Sequence, residues 1–133
     1  MKSIEQLREE WADVEPSALE ERIRRATRLR IGYESGQAAS HPVWIWQWGD
    51  AIFVAHPGEA YSYLQTELRR RHPKEVIFVM NLTNYPGLFY LPIKSAYEAP
   101  AYQAWQTLLA PGALDQVVEE VDRYIGELLG ESA

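Results

Sequence analysis

A strand–helix–strand pattern in the middle of the chain constrains the fold more than any other feature. Two apolar runs, Ala51–Ala55 and Val76–Met80, flank a helical stretch near Glu59–Arg71. The five consecutive apolar residues of the second run predict a strand that is buried on both faces. Two such strands joined by a helix form a parallel pair with a crossover connection. The pattern therefore predicts an α/β protein.

Other local signals extend the predicted sheet. A glycine and an aspartate at 49–50 separate Val43–Trp48 from the first apolar run, which predicts a β-hairpin. Leu88–Leu91 is predicted to be a further short strand. Ala113–Leu129 has apolar residues at helical spacing and is the clearest helix in the sequence. We therefore predict a mixed β-sheet of about four strands, with a β-hairpin, a β-α-β unit and flanking helices.

Length and capping signals predict the organisation of the chain. Its 133 residues lie within the ordinary size range of one domain. Capping-box spacings that begin at Ser3 and Ser17 predict a helical N-terminal segment over residues 1–31. We expect this segment to belong to a single α/β domain over 1–133.

Composition restricts the class of function. The chain has 13 basic and 19 acidic residues and a net charge of −6, which argues against nucleic-acid binding because phosphates attract basic surfaces. It has no cysteine, which excludes a thiolate nucleophile and a cysteine-bound metal. No apolar run approaches the ~20 residues of a membrane span, and the charged start does not resemble a signal peptide. We expect a cytoplasmic protein without a membrane span.

Ligands of open α/β sheets gather at the carboxyl ends of the parallel strands. His56 and Glu59 follow the first of these strands, and Asn81 and Asn84 follow the second. Topology alone therefore brings Glu59 near both asparagines and near Tyr90. We expect Glu59 in the first turn of its helix, where the helix dipole favours an ionised carboxylate that can bind a metal or act as a general base. His56, Asn81 and Asn84 are candidates for lining a substrate pocket.

A simpler interpretation of these residues stays open. Capping alone favours a glutamate in a first helical turn. The Pro-Gly turn at 57–58 keeps His56 out of helical register with Glu59, which argues against a metal-binding pair of helical spacing. His41 and His72 lie beside prolines in predicted loops, where we expect them to be solvated.

Three segments with recognisable motifs occur in a fixed order: Trp48–Glu59 with its Pro-Gly-Glu turn, Asn84 with Tyr90-Leu91-Pro92 and Tyr97, and Ala101–Ala113 with its Tyr-Gln pair and Pro-Gly-Ala turn. Together they resemble the strand and "PGE" turn, the "GY(V/L)PT…Y" stretch and the "YE…PGA" ending of the neutral/alkaline, non-lysosomal ceramidase family. The similarity covers a ceramidase-like lobe of about residues 28–129 and resembles the C-terminal part of the family's catalytic domain.

The resemblance implies a zinc-dependent hydrolase of ceramide, a lipid amide. It implies that Glu59 and Tyr90 bind the zinc and that Tyr90 has a catalytic role in steadying the oxyanion. The family's other zinc ligands are histidines from an earlier half of the domain, which this sequence lacks, and Gln103 stands where the family usually has glutamate. Because a catalytic zinc usually has three protein ligands, we expect the chain alone to bind zinc weakly and to be inactive without a histidine-bearing lobe.

A non-catalytic binding or assembly domain is the alternative function. Side chains of a strand point alternately to its two faces, so one face of the predicted strand carries Trp44, Trp46 and Trp48. Monomers seldom expose an apolar patch larger than a few hundred Å². We therefore expect a homo-oligomer with these tryptophans at or near the contact, unless the N-terminal helices cover the strand through Trp11.

Overall fold

Two stretches of the chain, residues 2–84 and 90–130, are described by the computed structural model. The chain divides into two compact units, Met1–Ala39 and Ser40–Ala133. The strands of the predicted β-α-β unit all lie in the second unit. That the two units act as one domain stays a prediction.

The first unit contains two helices, α1 (Ile4–Glu10) and α2 (Pro16–Leu29). Ser3 caps α1 through a capping box, as the sequence spacing predicts. The capping box predicted at Ser17 is wrong. Glu15 caps α2 instead and accepts hydrogen bonds from two backbone amides of the first turn, because a proline fills the first helical position.

The second unit contains both strands and helices. Its elements, among the described residues, are β1 (Trp44–Trp48), β2 (Ala51–Ala55), β3 (Glu59–Ala60), α3 (Tyr63–Arg71), β4 (Val76–Met80), β5 (Tyr90–Leu91), a 3₁₀-helix (Lys94–Glu98), α4 (Tyr102–Gln106) and α5 (Ala113–Leu128). This order of elements confirms the α/β class. Within the part of the chain that the structure describes, no helix combines the length and the apolar character that a membrane crossing requires.

The strands form two sheets. The larger sheet has the order β1-β2-β4, with β1 antiparallel and β4 parallel to β2, so the predicted hairpin and β-α-β unit are both confirmed. Gly49 has a φ of 59°, the left-handed conformation that a two-residue hairpin turn requires. The smaller sheet pairs β3 with β5 in parallel. The predicted strand Leu88–Leu91 therefore contributes its last two residues to a separate sheet, and its first two lie outside the described residues.

One face of the larger sheet packs against helices, and we call it the closed face. Its inward residues Ile52, Val54 and Ile77 are completely buried. The helices contribute aliphatic side chains to the same core: Leu64 and Leu68 from α3, and Leu114, Val118, Val121 and Ile125 from α5. The periodicity that predicts the C-terminal helix therefore identifies these four buried residues, whereas Leu128, which continues the same apolar spacing, is 45% exposed.

The opposite face of the same sheet, which we call the open face, has three cross-strand rows. The register aligns Trp48, Ala51 and Val76 in the first row, Trp46, Phe53 and Phe78 in the second, and Trp44, Ala55 and Met80 in the third. Val76, Phe78 and Met80 are 51%, 42% and 38% exposed. The prediction that β4 is buried on both faces is therefore wrong, because α3 and α5 pack on the closed face.

An ion-pair network joins α3 to α5. Arg71 donates hydrogen bonds to Asp122 at 2.9 Å and to Glu119. The Nε atom of Arg71 also donates to Glu67 of α3 at 2.9 Å. The ring of His72 is buried and its Nε2 lies 2.8 Å from Asp122 Oδ1. The expectation that His72 is solvated is wrong, because its carboxylate partner on α5 lies far away in sequence.

Candidate functional site

The two residues that the resemblance assigns to zinc lie on neighbouring strands. The parallel register of β3 and β5 pairs Glu59 with Tyr90 and Ala60 with Leu91. Neighbouring strands are about 4.8 Å apart, and paired residues lie on the same face of a sheet. The backbone therefore brings Glu59 and Tyr90 side by side, although 30 residues separate them in the sequence.

Tyr90 is held in place from two directions. Its carbonyl oxygen accepts a hydrogen bond of 2.7 Å from the Thr107 hydroxyl. Its ring contacts the Tyr102 ring edge-on, with centroids 5.9 Å apart, and Tyr102 contacts Trp105 in the same way at 5.3 Å. The segment around α4 therefore fixes both the backbone and the ring of Tyr90.

The expected helical position of Glu59 is wrong. Glu59 lies in the extended strand β3, and α3 begins only at Tyr63. The pairing with β5 continues past the strand, since the Tyr61 amide donates to the Leu91 carbonyl at 3.1 Å. These bonds keep the backbone extended where a helix was expected, so the helix-dipole argument does not apply to the Glu59 carboxylate.

His56 and Asn81 meet at the carboxyl ends of β2 and β4, where the topology brings the two segments that follow these strands together. The His56 amide donates to the Met80 carbonyl at 3.1 Å, which continues the parallel ladder by one step. The His56 Nε2 atom lies 2.8 Å from Asn81 Oδ1, and the side chain of His56 is completely buried. Asn81 Nδ2 donates in turn to the Ala60 carbonyl at 3.0 Å, which links the larger sheet to β3.

This chain of hydrogen bonds determines where the ring protons lie. Because Asn81 donates through Nδ2, its Oδ1 is an acceptor, so His56 must carry its proton on Nε2. The neutral His56 ring then accepts at Nδ1, and His41 Nε2 lies 3.2 Å from that atom. His41 must therefore donate from Nε2, which leaves its Nδ1 as an acceptor. That Nδ1 atom is buried and has no hydrogen-bond partner among the described residues.

Both histidines favour the neutral form. Burial lowers the pKa of His56 from 6.5 to about 4, the neighbouring His41 ring lowers it in the same direction, and the hydrogen bond to Asn81 opposes the change. Burial also lowers the pKa of His41. The expectation that His41 is solvated is therefore wrong. Extending the antiparallel hairpin beyond Trp44 and Ala55 brings residues 41–43 beside 56–58, and this register was the signal in the sequence that could have found His41.

Backbone hydrogen bonds join the turn after β4 to the turn after β2. The amides of Leu82 and Thr83 donate to the carbonyls of Gly58 and His56, both at 3.0 Å. Leu82 and Asn84 have φ values of 58° and 53°, a left-handed conformation that is uncommon for residues other than glycine. Asn84 is exposed and takes no part in the hydrogen bonds between His56 and Asn81.

Gly58 allows the close packing of this turn. A Cβ atom at position 58 would lie 3.0 Å from both His41 Cε1 and Leu91 Cδ1. The glycine of the Pro-Gly-Glu turn therefore has a steric role between the histidine pair and β5.

The residues of this chain do not by themselves complete a zinc site. Among residues 2–84 and 90–130, no group of three or more His, Cys, Asp or Glu side chains is arranged to hold a metal ion. Glu59 and Tyr90 offer one carboxylate and one phenol, whereas zinc takes four ligands and prefers nitrogen or sulfur donors among them. Both nitrogens of His56 and the Nε2 of His41 are already used in hydrogen bonds.

Comparisons of the chain with protein-family models, with curated proteins and with solved structures find no match. The likeness to ceramidases therefore depends on the three segments and their order. The function has to be argued from the geometry of Glu59, Tyr90 and the residues around them.

Proposed function

We propose that this chain is one lobe of a ceramidase-like amide hydrolase and contributes an incomplete metal site. Glu59 and Tyr90 are the two metal ligands of this lobe, and a histidine-bearing lobe supplies the rest. The chain is inactive alone. Its setting is the cytoplasm, and its substrate in the complete enzyme is a lipid amide.

The β3–β5 register carries this proposal. A two-residue strand has little sequence signal of its own, yet this pair brings together the two positions that the resemblance assigns to one metal. The hydrogen bond from Thr107 and the ring contact with Tyr102 keep Tyr90 in that register. A bound zinc would supply Lewis-acid polarisation of the amide carbonyl.

The neighbouring polar residues have a supporting role in this proposal. Asn81 donates to the backbone of β3 and thereby ties it to the carboxyl end of the larger sheet. The buried His56 fixes the Asn81 side chain. Asn84 is exposed in the turn after β4 and is proposed, with His56 and Asn81, to line the substrate side of the site.

Zinc titration of the purified chain tests the half-site. We expect weak binding in competition with a chromogenic chelator. Glu59→Gln and Tyr90→Phe should each weaken it at least about tenfold, since even partners outside the metal's ligand set change affinity by that amount. Glu98→Gln and Tyr124→Phe are matched controls at exposed positions and should leave it unchanged.

A fluorescent ceramide tests the dependence on a second lobe. We expect no hydrolysis by the isolated chain with or without added zinc. A zinc affinity that is unchanged in both Glu59→Gln and Tyr90→Phe would overturn the assignment of the ligands. Zinc-dependent cleavage that is lost in Glu59→Gln would overturn the conclusion that the site is incomplete.

A further inference from the structure

The open face of the larger sheet has an unusual composition. None of its nine residues is charged, and none except the indole of tryptophan carries a polar group: Trp44, Trp46, Trp48, Ala51, Phe53, Ala55, Val76, Phe78 and Met80. Ala55 is the one member of this set that is completely buried in the monomer. Phe53 and Phe78 stack in the middle row, with ring centroids 5.2 Å apart. An ordinary solvated sheet face alternates polar residues at these positions.

The exposed part of this face is large. Trp48 and Trp46 are 82% and 49% exposed, and the three β4 residues of the face are 38–51% exposed. A fully exposed large side chain has an accessible surface of roughly 200 Å², so the exposed fractions of these five residues correspond to about 500 Å² of accessible apolar surface. The largest patch on a typical monomer is about 300–600 Å² and is often functional. The open face therefore has the size of a binding surface.

The absence of charge on the open face allows a second copy of this chain to be the occupant. The chain carries a net charge of −6, so two copies repel each other over most surfaces. The nine residues of the open face carry none of that charge, and a face that meets itself across a twofold axis places no like charges together. Two such faces would remove about 1,000 Å² of apolar surface, and the rim would bring the total to the lower limit of a specific interface at about 1,200 Å².

We propose that two copies of this chain pair through their open faces across a twofold axis. Trp46, Phe53 and Phe78 form the middle of the contact, where aromatic residues contribute most to binding. Trp48 and Met80 lie towards its rim. The two sheets pack face to face about 10 Å apart, as in other sheet-on-sheet contacts. This pairing is independent of the proposed metal site, whose residues lie in β3 and β5.

Sedimentation velocity of the purified chain from about 1 µM to about 100 µM tests the proposal. We expect the mass to rise from 15.3 kDa towards twice that value. The double variant Trp46→Thr/Phe78→Thr keeps residues that favour strands and should raise the dissociation constant at least about 100-fold. Tyr124→Gln/Leu128→Gln removes two side chains that are similarly exposed on α5 and should leave association unchanged.

A second variant separates a lost contact from a lost fold. Trp48→Lys changes a side chain that is 82% exposed, so the fold should survive, while each lysine would place a charge against the apolar face of the other copy. We expect this variant to be monomeric with an unchanged circular dichroism spectrum. A mass of 15.3 kDa at every concentration of the unmodified chain would overturn the proposal. A dimer that persists in Trp48→Lys and in the double variant would equally overturn the assignment to this face.

Discussion

The two faces of the β1-β2-β4 sheet are built from the same strands and meet opposite environments. Ile77 is completely buried, and its neighbour Val76 on the same strand is 51% exposed. Both are β-branched and apolar, so their identity does not distinguish them. The difference in exposure comes from the helices. Among the described residues, α3 and α5 pack on one side of the sheet and not on the other. Apolar strand composition therefore predicts a strand but not the number of its faces that are covered.

Side-chain type also differs between the two faces. The closed face uses aliphatic residues such as Ile52, Val54 and Ile77, which interdigitate with leucines and valines of the helices. The open face uses tryptophan and phenylalanine in its middle row. Aromatic residues are enriched in protein interfaces. The comparison therefore separates a face that stabilises the monomer from a face suited to binding.

The largest effect should come from the closed face. Ile77→Ala removes a completely buried side chain in contact with the helical core, so the free energy of unfolding should fall by about 2–5 kcal/mol. Urea denaturation followed by circular dichroism measures this loss. A loss below about 1 kcal/mol would mean that the helices do not pack tightly on this face.

The next effect concerns His56, which continues the inward alternation of Ile52 and Val54 and is the buried polar residue at the end of β2. The pKa of His56 is lowered to about 4 in the folded protein, whereas the unfolded chain takes up the proton near 6.5. Between these values the unfolded state binds more protons, so stability falls as the pH is lowered from 6.5 to about 4 and the loss levels off below it. His56 should contribute on the order of 3 kcal/mol to this loss.

Urea denaturation at several pH values checks this dependence. His56→Gln should flatten the profile between pH 6.5 and about 4. Ion-paired carboxylates provide an internal control in a different range. Glu67, whose pKa is lowered to about 2 by Arg70 and Arg71, loses its stabilising contribution only as the pH falls below about 4.5. A profile that stays unchanged in His56→Gln would contradict the buried neutral histidine.

The parts of the fold that sequence predicted are those with local signals. The hairpin follows from two residues at 49–50 that tolerate a positive φ, and α5 follows from apolar spacing over Ala113–Leu128. The β-α-β unit follows from two apolar runs with a helix between them. Topology predicted that the segments after β2 and β4 meet, because adjacent parallel strands end at the same edge, but it did not single out the contact between His56 and Asn81.

The parts that sequence missed depend on contacts between distant segments. Glu59 was expected in a helix because its local sequence allows one, but pairing with Tyr90 keeps it extended. His72 was expected in solvent, but Asp122 of α5 accepts a hydrogen bond from its ring Nε2. His41 was expected in solvent, but the continuation of the hairpin register past Trp44 places it against His56. In each case the decisive partner lies at least 15 residues away.

The smallest effect should come from Val76, and it tests the contrast between the faces most directly. Val76→Ala removes the same kind of apolar side chain as Ile77→Ala from the adjacent position, but from a residue that is half exposed in the monomer. Its backbone amide still donates to the Asp50 carbonyl, so this hydrogen bond of the strand is kept. At about 1 µM protein, where the monomer prevails, the free energy of unfolding should change by less than about 0.5 kcal/mol.

At about 100 µM the unmodified chain should gain stability from pairing by mass action, and Val76→Ala should gain less. Urea denaturation at both concentrations measures the two quantities. A loss above about 1 kcal/mol in dilute solution would show that the open face is already covered within the monomer, because only a well-buried valine costs that much to shorten.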